Sequence, residues 1–328
     1  MTTLLIHERS YARLKDDLKA LDKNLDVVLM AADGSLTRNG QPIADTDVRP
    51  EIGWYSIETM LTGQTGRYFR LMKETGAVKW FQTFHAGVDM PFYQELARQG
   101  MRVTRSDAQA VAIAEYTVAG VMALYQGVFE RRRLQAAHTW RMTSFQELWQ
   151  KRWLIVGYGN IGRELAKRLG PFECPVVGVR RAAGADPHAE KIITLAQVSE
   201  ELPRTDVVVL SCSLTEETRH LANQAFFQRM KKDATLVNIA RGQLVDQPAL
   251  IEALKAGTPA RAVLDVFDPE PLPADSPLWD MDQVIVTPHS SNAGSGTLFR
   301  GDRIFMENLK RYLAGEPLKY EATADLRA

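Results

Sequence analysis

Trp153-Leu154-Ile155-Val156-Gly157-Tyr158-Gly159-Asn160-Ile161-Gly162 is the stretch on which the reading of the fold turns. An apolar run enters a G-x-G-x-x-G sequence, and a helical pattern over 164–169 follows it. Alone, the glycine spacing is a weak signal that a flexible turn would also produce. Placed between a strand and a helix, it is a dinucleotide-binding fingerprint. Gly157 permits the tight turn, Gly159 lets the backbone approach a pyrophosphate, and Gly162 lets helix and strand pack closely. The helix amino terminus adds N–H donors that have no partner within the helix.

Working outward, further apolar runs follow at Val176-Val177-Gly178-Val179, Val207-Val208-Val209-Leu210, Thr235-Leu236-Val237-Asn238, Ala262-Val263-Leu264 and Val284-Ile285-Val286. Helical patterns fill the gaps, as over 248–256. The runs are continuous rather than alternating, which suits strands covered on both faces. Six strands with helical crossovers fit one dinucleotide fold. Upstream, Leu4-Leu5-Ile6, Val27-Val28-Leu29-Met30, Ile52-Gly53-Trp54-Tyr55 and Val78-Lys79-Trp80-Phe81 read as strands, with Leu14, Leu18 and Leu21 at helical spacing between the first two. That alternation argues a second parallel sheet. A helix at about Thr297 to Leu313 falls after the sixth strand and is expected to return to the first domain, leaving the cofactor domain as an insertion.

The composition agrees. A length of 328 residues suits about two domains. Hydrophobic residues at 45% and charged residues at 24% exclude disorder and collagen-like repetition. Forty basic side chains balance forty acidic ones, so no global field would hold nucleic acid or a membrane surface. Cys174 and Cys212 are too few for a disulfide framework or a four-cysteine zinc site. His7, His138, His188 and His220 lack ligand spacing, so no metal is expected. The apolar stretch 108–129 nearly reaches membrane length but carries Glu115, a charge costing roughly 3 kcal/mol at that depth. It reads as a core helix. The start Met1-Thr2-Thr3-Leu4-Leu5-Ile6-His7 is unlike a secretion signal, and a cytoplasmic location is expected. Trp54 and Tyr55 read equally as cleft wall or core, and Trp140 reads as a buried hydrophobe ahead of a residue that reaches across a dimer.

The strand ends carry the chemistry. Where an NAD-selective site places an acid at the end of the second strand, this chain has Arg180-Arg181. A guanidinium cannot accept from a ribose hydroxyl but can grip a 2′-phosphate, so NADP is preferred over NAD. Arg241 follows the fourth strand, Asp265 and Glu270 follow the fifth, and His289 ends the sixth in Thr287-Pro288-His289. Carboxyl ends of parallel strands share one edge, the edge that carries the ligand crevice.

Together these stretches resemble the D-isomer-specific 2-hydroxyacid dehydrogenases over nearly the whole chain. The resemblance rests on the glycine motif, Asn238-Ile239-Ala240-Arg241-Gly242, Leu264-Asp265-Val266-Phe267-Asp268-Pro269-Glu270-Pro271-Leu272, Thr287-Pro288-His289 and the loop His85-Ala86-Gly87-Val88-Asp89. It implies an α/β fold with two doubly wound parallel-sheet domains: a Rossmann-type cofactor domain at 107–290, inserted into a flavodoxin-like substrate domain at 1–106 completed by 291–328. It also implies a homodimer. His289 would be the general acid/base with Glu270 its partner, and Arg241 would bind the substrate carboxylate and polarise the keto oxygen. Ala86 and Gly87 would offer N–H groups to that carboxylate, with His85 either touching substrate or capping the loop. Gly157, Gly159, Asn160, Ile161, Gly162, Ile239 and Ala240 would contact the cofactor, Cys212 would line its groove, and Asp265 would hold the nicotinamide carboxamide. After His289 the chain reads Ser290-Ser291-Asn292-Ala293-Gly294, where the family commonly has Ile-Ala-Gly.

The implied activity is NADPH-preferring reduction of a small 2-keto acid such as glyoxylate or hydroxypyruvate. The alternatives are an NAD-dependent dehydrogenase for a bulkier substrate, or a dinucleotide-sensing scaffold of the corepressor type.

Overall fold

The computed structural model describes residues 2–88 and 90–327. Asp89, which closes the His85 loop, lies outside the described residues. The chain forms two compact units: one runs up to Gln109 and resumes at Ser295, and the other is Ala110–Gly294.

The first unit opens with β1 (Thr3–His7), α1 (Glu8–Leu21), β2 (Asp26–Met30), β3 (Leu36–Arg38), β4 (Gln41–Pro42) and β5 (Ile52–Tyr55). It continues through α2 (Ile57–Leu61), α3 (Thr65–Glu74), β6 (Trp80–Thr83), α4 (Pro91–Arg98) and β7 (Arg102–Thr104). The sheet order is β4-β3-β2-β1-β5-β6-β7. Strands β2-β1-β5-β6-β7 are parallel, the flavodoxin order. The β2–β3 and β3–β4 pairings run antiparallel. Leu4, Leu5 and Ile6 of β1 are fully buried, as a central strand requires. The helical spacing in α1 is real: Leu14 and Leu18 are buried, and the His7 side chain caps its start by accepting from the Arg9 N–H at 3.2 Å.

The second unit begins with α5 (Ala110–Tyr125) and α6 (Val128–Ala136). Then come β8 (Trp153–Val156), α7 (Asn160–Leu169), β9 (Val176–Val179), β10 (Lys191–Ile193), α8 (Val198–Glu201) and β11 (Val207–Leu210). The unit closes with α9 (Gln224–Arg229), β12 (Thr235–Asn238), α10 (Gln247–Lys255), β13 (Arg261–Leu264) and β14 (Val284–Val286). Its sheet is parallel throughout, in the order β10-β9-β8-β11-β12-β13-β14. Strands β8, β9, β11 and β12 are buried along their whole length, as their unbroken apolar runs require.

α5 starts at Ala110, two residues later than the apolar stretch suggests, and lies on the sheet. A Cβ added to Gly120 would come 2.9 Å from Val263 Cγ1 on β13. Gly127, at φ +60°, then bends the chain by 58° into α6. Among the described residues no single helix is long and apolar enough to cross a membrane. α6 buries none of its residues, and Val128, Phe129, Trp140, Met142 and Phe145 are exposed. The expectation of a buried Trp140 is not met within the single chain, where its side chain is fully exposed.

The chain returns to the first unit through α11 (Thr297–Leu313) and α12 (Thr323–Arg327). Phe305 of α11 stacks on Trp54, with ring centroids 5.1 Å apart, and on Trp80 at 5.8 Å. Trp54 and Tyr55 are thus core residues. The boundaries differ by a few residues from those read in the sequence, because α5 begins at Ala110 and the loop after β14 stays with the second unit.

Candidate active site

The glycine turn after β8 has the geometry its motif requires. Gly157 sits at φ +99°, and a Cβ there would overlap the backbone of Cys212. A Cβ on Gly162 would lie 3.0 Å from Ile155 Cγ2 and 3.1 Å from the Gly157 carbonyl, so α7 packs directly on β8. Gly159, by contrast, would meet nothing within 4 Å. Its backbone faces open space at the amino terminus of α7, which begins at Asn160. A closed turn with one open glycine beside a helix start fits a pyrophosphate. Cys212 packs its backbone against this turn, and burial pushes its thiol up to about 11. Ile239 and Ala240 are buried just past β12.

At the end of β9, Arg180 Nε donates to the Tyr158 carbonyl at 2.6 Å, and the guanidinium lies 5.1 Å over the Tyr158 ring. Its Nη2 lies 3.9 Å from Asp186 Oδ2. Arg181 is exposed. Sequence reasoning missed Asp186, whose carboxylate accepts from the Tyr158 hydroxyl at 3.0 Å and from Arg163 Nε at 2.9 Å. Its side chain is 2% exposed, so it is closed to a ribose hydroxyl. Burial would raise its pKa, but hydrogen bonds from the His188 N–H and Tyr158 and the charge of Arg163 outweigh this, and the result is lowered.

The candidate catalytic residues follow adjacent strands β12, β13 and β14. Arg241 comes just after β12; Asn238 Nδ2 donates to its carbonyl at 2.9 Å, and Arg241 Nη1 donates to the Ala240 carbonyl at 2.7 Å. Glu270 follows β13, where its Oε1 accepts from the Phe267 N–H at 3.0 Å. Its Oε2 lies 3.0 Å from His289 Nδ1. Two residues nineteen positions apart thus form a His–carboxylate pair that keeps His289 Nε2 for other chemistry. Both are partly exposed, at 45% and 39% of the side chain, as residues meeting a ligand must be. Phe267, Pro271, Leu272, Trp279, Val286 and Pro288 line an apolar cavity of about 340 Å³ beside the pair.

Asp265, which the resemblance assigns to the nicotinamide carboxamide, directly follows β13. It is fully buried, and its Oδ1 accepts from Thr287 Oγ1 at 2.6 Å and from the Ser290 N–H at 2.8 Å. Its Oδ2 accepts from the Ser291 N–H at 3.0 Å. With both carboxylate oxygens engaged, Asp265 ties the end of β13 to the loop that carries His289. A carboxylate taken from water needs such donors, and the loop carrying His289 provides them.

In the first unit, His85 Nδ1 lies 2.7 Å from the Tyr93 hydroxyl, which is itself 2.9 Å from Thr83 Oγ1. The His85 ring also packs on Phe84 at 4.2 Å. These contacts fit loop capping. Ala86 is half-buried and Gly87 exposed.

A parallel sheet with a glycine-tight turn after β8 and a His–carboxylate pair past its last strands defines a dinucleotide-binding oxidoreductase. Comparison with known proteins narrows the class. The pattern described as D-isomer specific 2-hydroxyacid dehydrogenase, NAD binding domain, matches residues 118–291. The human glyoxylate reductase/hydroxypyruvate reductase is 32% identical over 267 residues, covering 77% of this chain and 79% of that protein. A D-isomer specific 2-hydroxyacid dehydrogenase family protein from Aeromonas salmonicida has a crystal structure that superposes with a TM-score of 0.79 at 28% identity, covering 98% of both chains. The D-isomer specific 2-hydroxyacid dehydrogenase of Xanthobacter autotrophicus, solved with NADPH and MES, gives 0.73 at 27%, covering 98% of this chain and 97% of that one. This chain belongs to the D-isomer specific 2-hydroxyacid dehydrogenase family.

Proposed function

We propose that this chain reduces a small 2-keto acid, with glyoxylate and hydroxypyruvate as first candidates, to the D-2-hydroxy acid, and prefers NADPH. The observation that carries this reading is the His289–Glu270 pair, 3.0 Å apart beside the carboxyl edge of a dinucleotide-type sheet. When bound at the Gly157–Gly162 turn, the reduced dinucleotide supplies the hydride. The residues of this chain do the rest. His289 gives a proton to the keto oxygen, held in orientation by Glu270. Arg241 binds the substrate carboxylate and offsets the negative charge that develops on the carbonyl.

The preference for NADPH is supported by Arg180 and Arg181 at the end of β9, and by the closure of Asp186 to solvent. The activity for which the human relative is named supports the substrate class. A bulkier substrate is the second reading, favoured by the apolar cavity beside His289. We assign the working form as a cytoplasmic homodimer, for which the exposed apolar side chains of 128–145 offer a surface. The test is a panel of glyoxylate, hydroxypyruvate, pyruvate and phenylpyruvate, each with NADPH and NADH. The expected result is the highest kcat/KM for glyoxylate or hydroxypyruvate with NADPH. Phenylpyruvate as the best substrate would overturn the substrate assignment, and equal use of NADH would overturn the cofactor preference.

A further inference from the structure

His289 has a backbone that needs holding. It lies at φ +52°, in the left-handed region that side chains with a Cβ rarely adopt. Its N–H donates to the Asp265 carbonyl at 2.8 Å and to the Thr287 carbonyl at 3.1 Å. The next two N–H groups, of Ser290 and Ser291, converge on the Asp265 carboxylate. The local shape of the loop around the imidazole therefore depends on where that carboxylate points.

A chain of hydroxyls sets its direction. Thr287 Oγ1 donates to Asp265 Oδ1 at 2.6 Å, and the Tyr116 hydroxyl lies 2.7 Å from Thr287 Oγ1. Since the Thr287 proton is already given to Asp265, Tyr116 must be the donor to Thr287. Tyr116 belongs to α5, at the far end of the unit's sequence from this loop. We infer that Tyr116 and Thr287 are positioning residues, a hydroxyl relay from α5 that orients the Asp265 carboxylate and through it fixes His289 in its left-handed conformation facing Glu270. Burial, reinforced by the charge of Asp265, pushes the Tyr116 phenol up to about 12, so it remains a donor across the working pH range. The consequence for turnover rests on the acid/base role assigned to His289 above. The consequence for the loop does not.

The test compares Tyr116→Phe, Thr287→Val and Thr287→Ser with the unaltered protein. Amide hydrogen exchange of His289, Ser290 and Ser291 is followed without substrate, and kcat and KM are measured with NADPH and glyoxylate. Tyr116→Phe should speed exchange at Ser290 at least about threefold, and Thr287→Val about tenfold, as local opening becomes easier. The value of kcat should fall in the same order, by about tenfold in Thr287→Val, while KM for NADPH stays within about twofold. Thr287→Ser keeps the hydroxyl and should restore exchange and kcat together. Exchange in Tyr116→Phe within about threefold of the unaltered protein would overturn the inference, and so would faster exchange with unchanged kcat. Should Thr287→Val fail to fold, the conservative Tyr116→Phe still decides. Should the unaltered protein reduce no 2-keto acid, the functional reading fails while the exchange data still judge the relay.

Discussion

Gly242 and Phe267 approach so closely that a Cβ on the glycine would overlap the carbonyl of the phenylalanine. This contact presses the loop carrying Arg241 against the loop carrying Glu270. The obstacle is backbone rather than a movable side-chain tip, so the two loops would have to separate to admit a methyl group. Gly242→Ala should therefore cost about 1–3 kcal/mol of stability, as overpacking does, and lower kcat by at least about tenfold through displaced side chains. Gly159→Ala is the contrast, since its Cβ would meet nothing. It should leave Tm unchanged while weakening NADPH binding by obstructing the approach of the pyrophosphate. Thermal melts and NADPH fluorescence titrations on the two variants check both halves. A Gly242→Ala protein with unaltered Tm and kcat would refute the close approach.

That contrast shows how far the sequence carries the reading. The apolar runs that form β8, β9, β11 and β12 are strands because each is buried along its whole length, a pattern with one plain solution. The strands missed were short or polar: β3 is Leu36-Thr37-Arg38, β4 has two residues, β7 is Arg102-Val103-Thr104 and β10 is Lys191-Ile192-Ile193. They pair at or near sheet edges, where nothing compels a continuous hydrophobic run. At the site, Glu270 and His289 were legible because fixed positions past parallel strands share an edge. For Asp265, spacing gives a place at the strand end but not the three hydrogen bonds that turn its side chain to the loop after β14. Asp186 carried no signal, lying in an irregular segment seven residues past β9. Gly242, a glycine directly after the arginine at a strand end, did carry one.

The hydrogen bond between His289 and Glu270 separates two effects that a kinetic experiment can resolve. His289→Asn removes the proton donor while keeping a similar volume, and kcat should fall by about 10²–10⁴-fold, the usual worth of general acid/base catalysis. Glu270→Gln keeps an acceptor but removes the charge. Its loss should be smaller, about tenfold to a hundredfold, because the proton donor stays while the charge that orients it is gone. Steady-state kinetics on the two variants check this. A Glu270→Gln loss as large as that of His289→Asn would mean that Glu270 does more than orient the imidazole.

Arg180 is tied to the Tyr158 carbonyl through Nε, so its position survives the loss of a ligand better than a free surface arginine would. Arg180→Gln should raise KM for NADPH by about tenfold, corresponding to the loss of a charge-assisted bond, and leave KM for NADH within about twofold. Equal effects on both cofactors would assign Arg180 to the architecture of the turn rather than to a 2′-phosphate.

Asp186 links α7 to the end of β9, and its lowered pKa makes that link sensitive to acid. A carboxyl group whose folded pKa lies below its unfolded value binds fewer protons in the folded state through the window between them. Its stabilising contribution is complete above the unfolded pKa, about 4 for aspartate, and disappears as pH falls through the lower folded value. Asp186→Asn cannot titrate, so its Tm deficit should stay constant between pH 7 and pH 5, at about 2–4 °C for a unit of this size. Below about pH 4 the deficit should shrink, because the unaltered protein loses there what the variant never had. Melting curves of both proteins from pH 7 to pH 3 measure this directly, and a deficit that widened on acidification would reverse the sign assigned to Asp186.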